Sequence, residues 1–277
     1  MTGYALDRAV RPVARTEPGR FAVELDDAWR ALRGVVNGGY STAVCLRALL
    51  EVVGAPDPLI VSTTFLRSAV PGPAEVVVEE VGRTRRNVTA QARLVQDGIE
   101  VVRTLATCTN LGEPGPVDAQ STAPRLPDPA DCVDPYADPH LLDLLTGATM
   151  TDRIHVRHPA LPGWVRGAPT GRTEAEFWIA FADRRPPDTL ALPLLVDAAA
   201  PIVLEAGATG SSTLQLTTHV RARPAAGWLA ARVSTRHPAG GLHEEDMDLW
   251  DSTGRLVAQS RQLAVLHASP GCARPRP

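Results

Sequence analysis

The chain has 277 residues, a formal net charge of -3 and a pI near 6.2, with 44% hydrophobic and 21% charged residues. That length suits one large domain or two ordinary ones, and the composition is that of a water-soluble globular protein. The mildly acidic balance and the low aromatic content exclude a basic or base-stacking surface for nucleic acid, so no nucleic-acid partner is expected. There is no lysine, which rules out a P-loop lysine, a Schiff-base lysine and a Ser-Lys dyad together.

The four cysteines, Cys45, Cys108, Cys132 and Cys272, form no C-x-x-C pair and no zinc-ligand spacing. Neither a metal nor a cofactor is called for. The opening residues lack an apolar leader core, and no run of about 18 apolar residues offers a membrane span, so a cytoplasmic protein is expected, without a membrane partner.

Residues 1–19 are polar and carry Pro12 and Pro18, which reads as a loosely held arm. Phe21–Leu25 alternates apolar and polar residues and predicts a strand. Asn37-Gly-Gly-Tyr40 then leads into an apolar helix from Ser41 to Val53, with Gly54 as its C-cap. Strands follow at Ile60–Leu66, Glu75–Val81, Val88–Val95 and Ile99–Cys108, the last two joined by an Asp97-Gly98 hairpin. One helix wrapped by an antiparallel meander is an α+β pattern.

Between residues 113 and 150 the chain is rich in proline and reads as a linker, with a short helix at Leu141–Leu145. The predicted division is an N-terminal module over 1–112, this linker, a C-terminal module over 151–270 and a tail over 271–277. The second module repeats the order of the first. It has an edge strand at Ile154–Val156 and a strand at Glu176–Phe181. A helix over Leu190–Leu204 is followed by strands at Thr213–Arg221, Trp228–Thr235, Glu245–Trp250 and Leu256–Leu266. Gly72 and Gly227, Gln96 and Asp251, and Val102 and Val257 each stand 155 residues apart, which is how an internal duplication reads.

The Leu190–Leu204 run carries one carboxylate, Asp197, in an otherwise apolar stretch. A buried carboxylate needs polar partners or a cavity, because leaving it charged and unpaired costs several kcal/mol. At the offset of 155, Asp197 falls on Thr42 and Gln262 on Thr107, so the second module has acidic and amide groups where the first has hydroxyls. G-x-S-x-G, H-E-x-x-H, G-x-G-x-x-G and G-x-x-x-x-G-K are all absent.

Asn37-Gly-Gly-Tyr40, Phe65-Leu-Arg67 with Pro71-Gly72, and Val95-Gln-Asp-Gly98 resemble the acyl-CoA thioesterase II-like group of double hotdog proteins. So do Asp197 in its apolar run, Thr213–His219, Arg223-Pro224 with Gly227-Trp228, and Trp250–Gln262. The resemblance implies two hotdog modules whose sheets join edge to edge, with an acyl-CoA as substrate. It also implies an Asp, Thr and Gln set that activates water. Asp197 and Gln262 match that set, and either Thr213, the better match, or Thr217 completes it; both lie on one strand face by the period-2 rule.

Gly39 and Tyr40, at the start of the first helix, are candidates to bind the oxyanion through their N–H groups. Arg83, Arg85 and Arg86, around a hairpin, are candidates for the coenzyme A phosphates. Cys45 reads as a buried small hydrophobe. The expected activity is acyl-CoA hydrolysis. The rivals are a non-catalytic acyl-CoA or acyl-carrier binding module and a hotdog enoyl-CoA hydratase. Free sheet edges make a homo-oligomer plausible.

Overall fold

Period-2 alternation of apolar residues becomes strand wherever the sequence shows it. In the computed structural model, which describes residues 3–31, 34–112, 121–144 and 147–267, the strands form one antiparallel sheet. The predicted tail over 271–277, Cys272 and the first part of the predicted linker lie outside the described residues. The first module contains α1 (Ala5–Ala9), β1 (Ala14–Glu17), β2 (Arg20–Leu25), α2 (Gly38–Val53), β3 (Asp57–Phe65), β4 (Gly72–Arg83), β5 (Val88–Gln96) and β6 (Ile99–Thr109). After α3 (Pro139–Leu144), the second contains β7 (Ile154–Arg157), β8 (Glu174–Phe181), α4 (Leu192–Leu195), β9 (Ser211–Val220), β10 (Leu229–Ser234), β11 (Leu242–Trp250) and β12 (Leu256–Leu266).

The strand order is β1-β2-β4-β5-β6-β3-β9-β12-β11-β10-β8-β7, so each half mirrors the other about the β3–β9 seam. The register at the seam obeys the sequence repeat. Ser62 pairs with Thr217, 155 residues on, while Ile60 pairs with His219 and Thr64 with Gln215. A pseudo-twofold axis therefore passes between Ser62 and Thr217, whose hydroxyls are hydrogen-bonded at 2.7 Å. The double hotdog α+β architecture is thus two modules sharing one continuous sheet.

Helix α2 forms because Asn37 caps it, its side chain accepting the Tyr40 N–H at 2.8 Å, and Gly54 ends it at φ 68°. Most of its residues are buried, and both modules contribute to one apolar core around it. Asp97 and Gly98 both take positive φ, as the predicted tight hairpin requires.

Three expectations need correction here. The N-terminal arm is not loose: Leu6, Ala9 and Val10 share the buried side of a helical turn. Asp183 accepts the Ala5 N–H at 2.7 Å and Arg185 pairs with Asp7 at 2.8 Å, so the arm docks on the second module.

The predicted Leu190–Leu204 helix is only the short α4 followed by irregular chain and a 3-10 turn at Ile202–Leu204. Pro201 lacks an N–H and disfavours helical geometry at Ala200, whose N–H instead donates to the Tyr136 hydroxyl at 3.2 Å.

The repeat offset also changes along the chain. Leu94 pairs with Val102, but Leu249 pairs with Ala258, so the second module's last turn is one residue longer. Gln262 therefore corresponds to Ala106, not to Thr107.

Candidate functional site

Asp197 follows α4 and points at the N-terminus of α2. Its Oδ2 accepts the Gly39 N–H at 2.7 Å and the Asn37 side-chain amide at 3.1 Å, and its main-chain oxygen accepts the same amide at 3.2 Å. The approach is close because both helix-start residues lack side chains. A Cβ on Gly39 would stand 2.8 Å from Leu194 Cα and 2.9 Å from Asp197 Cβ, and one on Gly38 would stand 3.0 Å from Asp197 Oδ2. Burial pushes the Asp197 carboxyl up to about 6, against the opposing pull of the Gly39 and Asn37 hydrogen bonds.

Thr213 and Gln262 meet on the inner face of the second module. The Thr213 hydroxyl donates to Gln262 Oε1 at 2.8 Å. Thr217 does not join them. Leu263 pairs with Gln215 and Ala264 with Thr213, which leaves Leu214 as an extra residue in β9. That bulge turns Thr213 inward with Ala264, and leaves Thr217 outward with the exposed Arg261 and Ser62. The period-2 rule thus fails between these two threonines. An equivalent irregularity lies between Pro58 and Ile60 in β3, so the bulge belongs to the duplicated fold.

A second carboxylate completes the cluster. Glu245, on the inner face of β11, is 4% exposed and Gln262 is 8% exposed. Glu245 accepts the Gln262 Nε2–H at 2.8 Å on one oxygen and the Ile202 N–H at 2.7 Å on the other. Burial pushes its carboxyl up to about 7, with the Asp197 charge adding to the rise. The same reasoning that singled out Asp197 applies to Glu245. It alternates with His243, Met247 and Leu249 on a buried strand face, a signal legible in the sequence. Asn37 was likewise legible only as a helix cap.

The predicted oxyanion donors are already engaged. The Gly39 N–H goes to Asp197, and the Tyr40 N–H goes to the Asn37 cap. The Tyr40 side chain is fully buried, stacks on Trp29 and donates to the Ala9 carbonyl at 2.9 Å. The hairpin arginines do not reach this site either. Arg83 pairs with Glu80 and donates to the Val53 carbonyl at the far end of α2, and Arg85 and Arg86 are exposed on the same hairpin. That end lies roughly 24 Å from Asn37 along the helix axis. Cys45 is buried and its thiol is pushed up to about 12 by burial, as a structural cysteine's would be.

The first module supplies Asn37 and Gly39 to this site but has no equivalent set of its own. Where the second has Thr213, Glu245 and Gln262, the register places Pro58, Ala90 and Ala106, and the 155-residue offset sets Thr42 against Asp197. Thr42 there bonds the Gly38 carbonyl and Thr63, and makes no further site. A trough of about 880 Å³ on the outer sheet face, lined by Gln215, Thr217, Arg232, Asp246 and Arg261 among others, lies on the side opposite Asp197. Among the described residues no cluster of His, Cys, Asp and Glu could hold a metal ion, and no helix is long and apolar enough to cross a membrane.

Residues 25–109 match the acyl-CoA thioesterase N-terminal domain family, and residues 125–266 match the acyl-CoA thioesterase C-terminal domain family. An uncharacterized protein of Mycobacterium tuberculosis is 32% identical over 291 residues, covering 94% of this chain and 97% of its own. A Thermobifida fusca structure provisionally described as a thioesterase II superposes with a TM-score of 0.84 at 30% identity, over 97% of this chain and 100% of that one. A hot dog fold protein of unknown function from Alicyclobacillus acidocaldarius shares the fold at a TM-score of 0.83 and 20% identity, over 97% of this chain and 100% of its own. With a family match in each half and a full-length relative, the chain belongs to the acyl-CoA thioesterase family.

Proposed function

We propose that this protein hydrolyses an acyl-CoA thioester to a free acid and coenzyme A, with Asp197 as general base and Thr213 and Gln262 holding the attacking water. The observation that carries this reading is the inner-face set itself. It sets a half-buried Asp197 carboxyl near 6 beside a hydrogen-bonded Thr213–Gln262–Glu245 chain, whose Glu245 senses the Asp197 charge and holds the Ile202 N–H of the same segment, at positions where the sister module has Thr42, Pro58 and Ala106. Asp197 Oδ2 is held by Gly39 and Asn37, which orients Oδ1 as the oxygen that takes the proton.

The water oxygen attacks the thioester carbonyl carbon as its proton passes to Asp197. Negative charge develops on the carbonyl oxygen. The Gly38 N–H, at the first position of α2, has no intrahelical acceptor by position and is next in the chain to the Gly39 N–H that holds Asp197, so it is the donor we assign to that oxygen. Collapse of the tetrahedral intermediate breaks the C–S bond, and Asp197 returns its proton to the departing thiolate. A carboxyl near 6 is ionised at neutral pH and still basic enough to act as a base.

The test is thiol release from a panel of acyl-CoAs. Wild type is expected to release coenzyme A from at least one of them, and Asp197→Asn to do so about 100- to 10,000-fold more slowly. Full hydrolysis by Asp197→Asn would remove the general-base assignment. Binding of acyl-CoA by wild type without thiol release would make the protein a binding module instead.

A further inference from the structure

Glu245 has no counterpart in the sister module, where Ala90 occupies the position. Both of its oxygens are engaged, one by Gln262 of β12 and one by Ile202, in the segment that carries Asp197. It therefore bridges two separate parts of the site. A carboxylate can only accept hydrogen bonds, whereas a glutamine amide can be turned either way. Facing an ionised Glu245, Gln262 must present its NH2 to the carboxylate and its oxygen to Thr213, which is the arrangement observed.

We propose that Glu245 is a positioning residue whose charge state sets the direction of the Thr213–Gln262 hydrogen-bond chain, and through it the way the attacking water is held. The catalytic part of this inference rests on the hydrolase reading above. With Glu245 ionised, Thr213 gives its single proton to Gln262 and keeps lone pairs to accept from water. Water that donates to both Asp197 and Thr213 retains a lone pair for the carbonyl carbon. With Glu245 protonated, its O–H donates to the amide oxygen, the amide turns, and its NH2 donates to Thr213. The Thr213 O–H then donates to the water, which draws electron density from its oxygen and removes the acceptor that oriented its second O–H, so the remaining lone pair is a weaker nucleophile and is no longer aimed at the carbonyl carbon.

The surroundings place this change near neutral pH. From the segment after α4, Asp197 faces Glu245 with like charge, and on its own strand Asp246 adds a smaller repulsion. His243, two residues earlier on the same buried face, is held toward its neutral form by burial. From β12 and β9 the facing groups are the uncharged Gln262 and Thr213. Burial of Glu245 outweighs the two hydrogen bonds it accepts and carries its titration to about 7, above that of Asp197.

The experiment follows the Gln262 side-chain amide by ¹⁵N NMR from about pH 5 to pH 9 in the full-length protein, alongside kcat and KM profiles. The amide is assigned by its loss in Gln262→Leu. The expected result is a step in the Gln262 NH2 shifts near neutral pH. That step persists in Asp197→Asn and in the charge-retaining Glu245→Asp, and is absent in Glu245→Gln. Glu245→Gln is also expected to lower kcat at least about tenfold with little change in KM, and to lose one of the two ionisations on the acid limb. Flat Gln262 shifts in wild type, or a Glu245→Gln acid limb and kcat equal to wild type, would overturn the proposal. If wild type turns over no thioester, the hydrolase reading fails, while the NMR step alone still decides whether Glu245 directs the chain.

Discussion

Asp197 is kept in an environment that opposes its charge. Its carboxyl titrates near 6 in the folded protein against about 3.9 in an unfolded chain, because burial outweighs the two hydrogen bonds that favour the ionised form. The folded state therefore holds the proton more tightly. Between those two pH values it carries more protons than the unfolded state, so this group's contribution to stability falls as pH rises from about 4 to about 6 and stays lost above. Asn at 197 cannot ionise, yet its oxygen can still accept from Gly39. Asp197→Asn is thus expected to be more stable than wild type at pH 8, by about 1–3 kcal/mol, with the difference shrinking toward pH 4. Denaturant midpoints at the two pH values check this.

The threonines separate equally cleanly at this scale. Thr213→Val, which removes the donor to Gln262, is expected to lower kcat at least about tenfold. Thr217→Val, which breaks only the outer-face bond to Ser62, should leave kcat within about twofold of wild type. The reverse order in a side-by-side assay would exchange their roles.

At the scale of elements, the site depends on how closely α2 and α4 approach. Gly39 and Leu194 are 155 residues apart, so the pseudo-twofold axis runs between them, as it does between Ser62 and Thr217 at the seam. Two of the three closest atoms to a Cβ on Gly39 belong to the Leu194 main chain, at 2.8 and 2.9 Å, and main chain cannot rotate aside. Gly39→Ala is therefore expected to destabilise the fold by about 1–3 kcal/mol, the range for overpacking a core, and to displace the N–H that holds Asp197. Chemical denaturation and the acyl-CoA assay read the two effects separately. An unchanged midpoint would mean that the helices part without cost.

Strand positions were legible because alternation is a local signal. The irregular conformation around Asp197 was not, because an apolar run fits a buried helix and a buried irregular segment alike, and Pro201 decides between them. The inward turn of Thr213 was hidden for another reason. A bulge inserts one residue into the pairing without changing composition or alternation in any obvious way. The counterpart of Gln262 was misplaced by one position for a related cause, the longer turn before β12.

Over the whole molecule, the two halves pack as one unit. β3 and β9 pair along the seam, the apolar core draws on both halves, and α1 of the first module is tied to Asp183 and Arg185 of the second. The seam also carries a buried carboxylate. Asp57, 3% exposed, accepts from Arg223, Thr189 and the Leu111 N–H, so separation of the halves would leave its charge without most of these partners. A single cooperative thermal transition is expected by calorimetry, and residues 1–112 expressed alone are expected not to give a protected core by hydrogen exchange. Two resolved transitions would show that the modules unfold independently.

By itself the sequence determined the order of elements, the duplication and the oddity of a lone carboxylate in an apolar run. These are properties of spacing and pattern, and they survive without knowledge of what touches what. It also brought Asp197, Thr213 and Gln262 into view through a resemblance to known thioesterases. Only the tertiary structure decided that Thr213 and not Thr217 meets Gln262, and that the Gly39 and Tyr40 N–H groups serve Asp197 and a helix cap. It alone showed that Glu245 joins Gln262 to the Asp197 segment. The physical reason is range: these bonds link residues up to 158 positions apart, and their existence depends on how the helices and sheet pack, which no local pattern encodes.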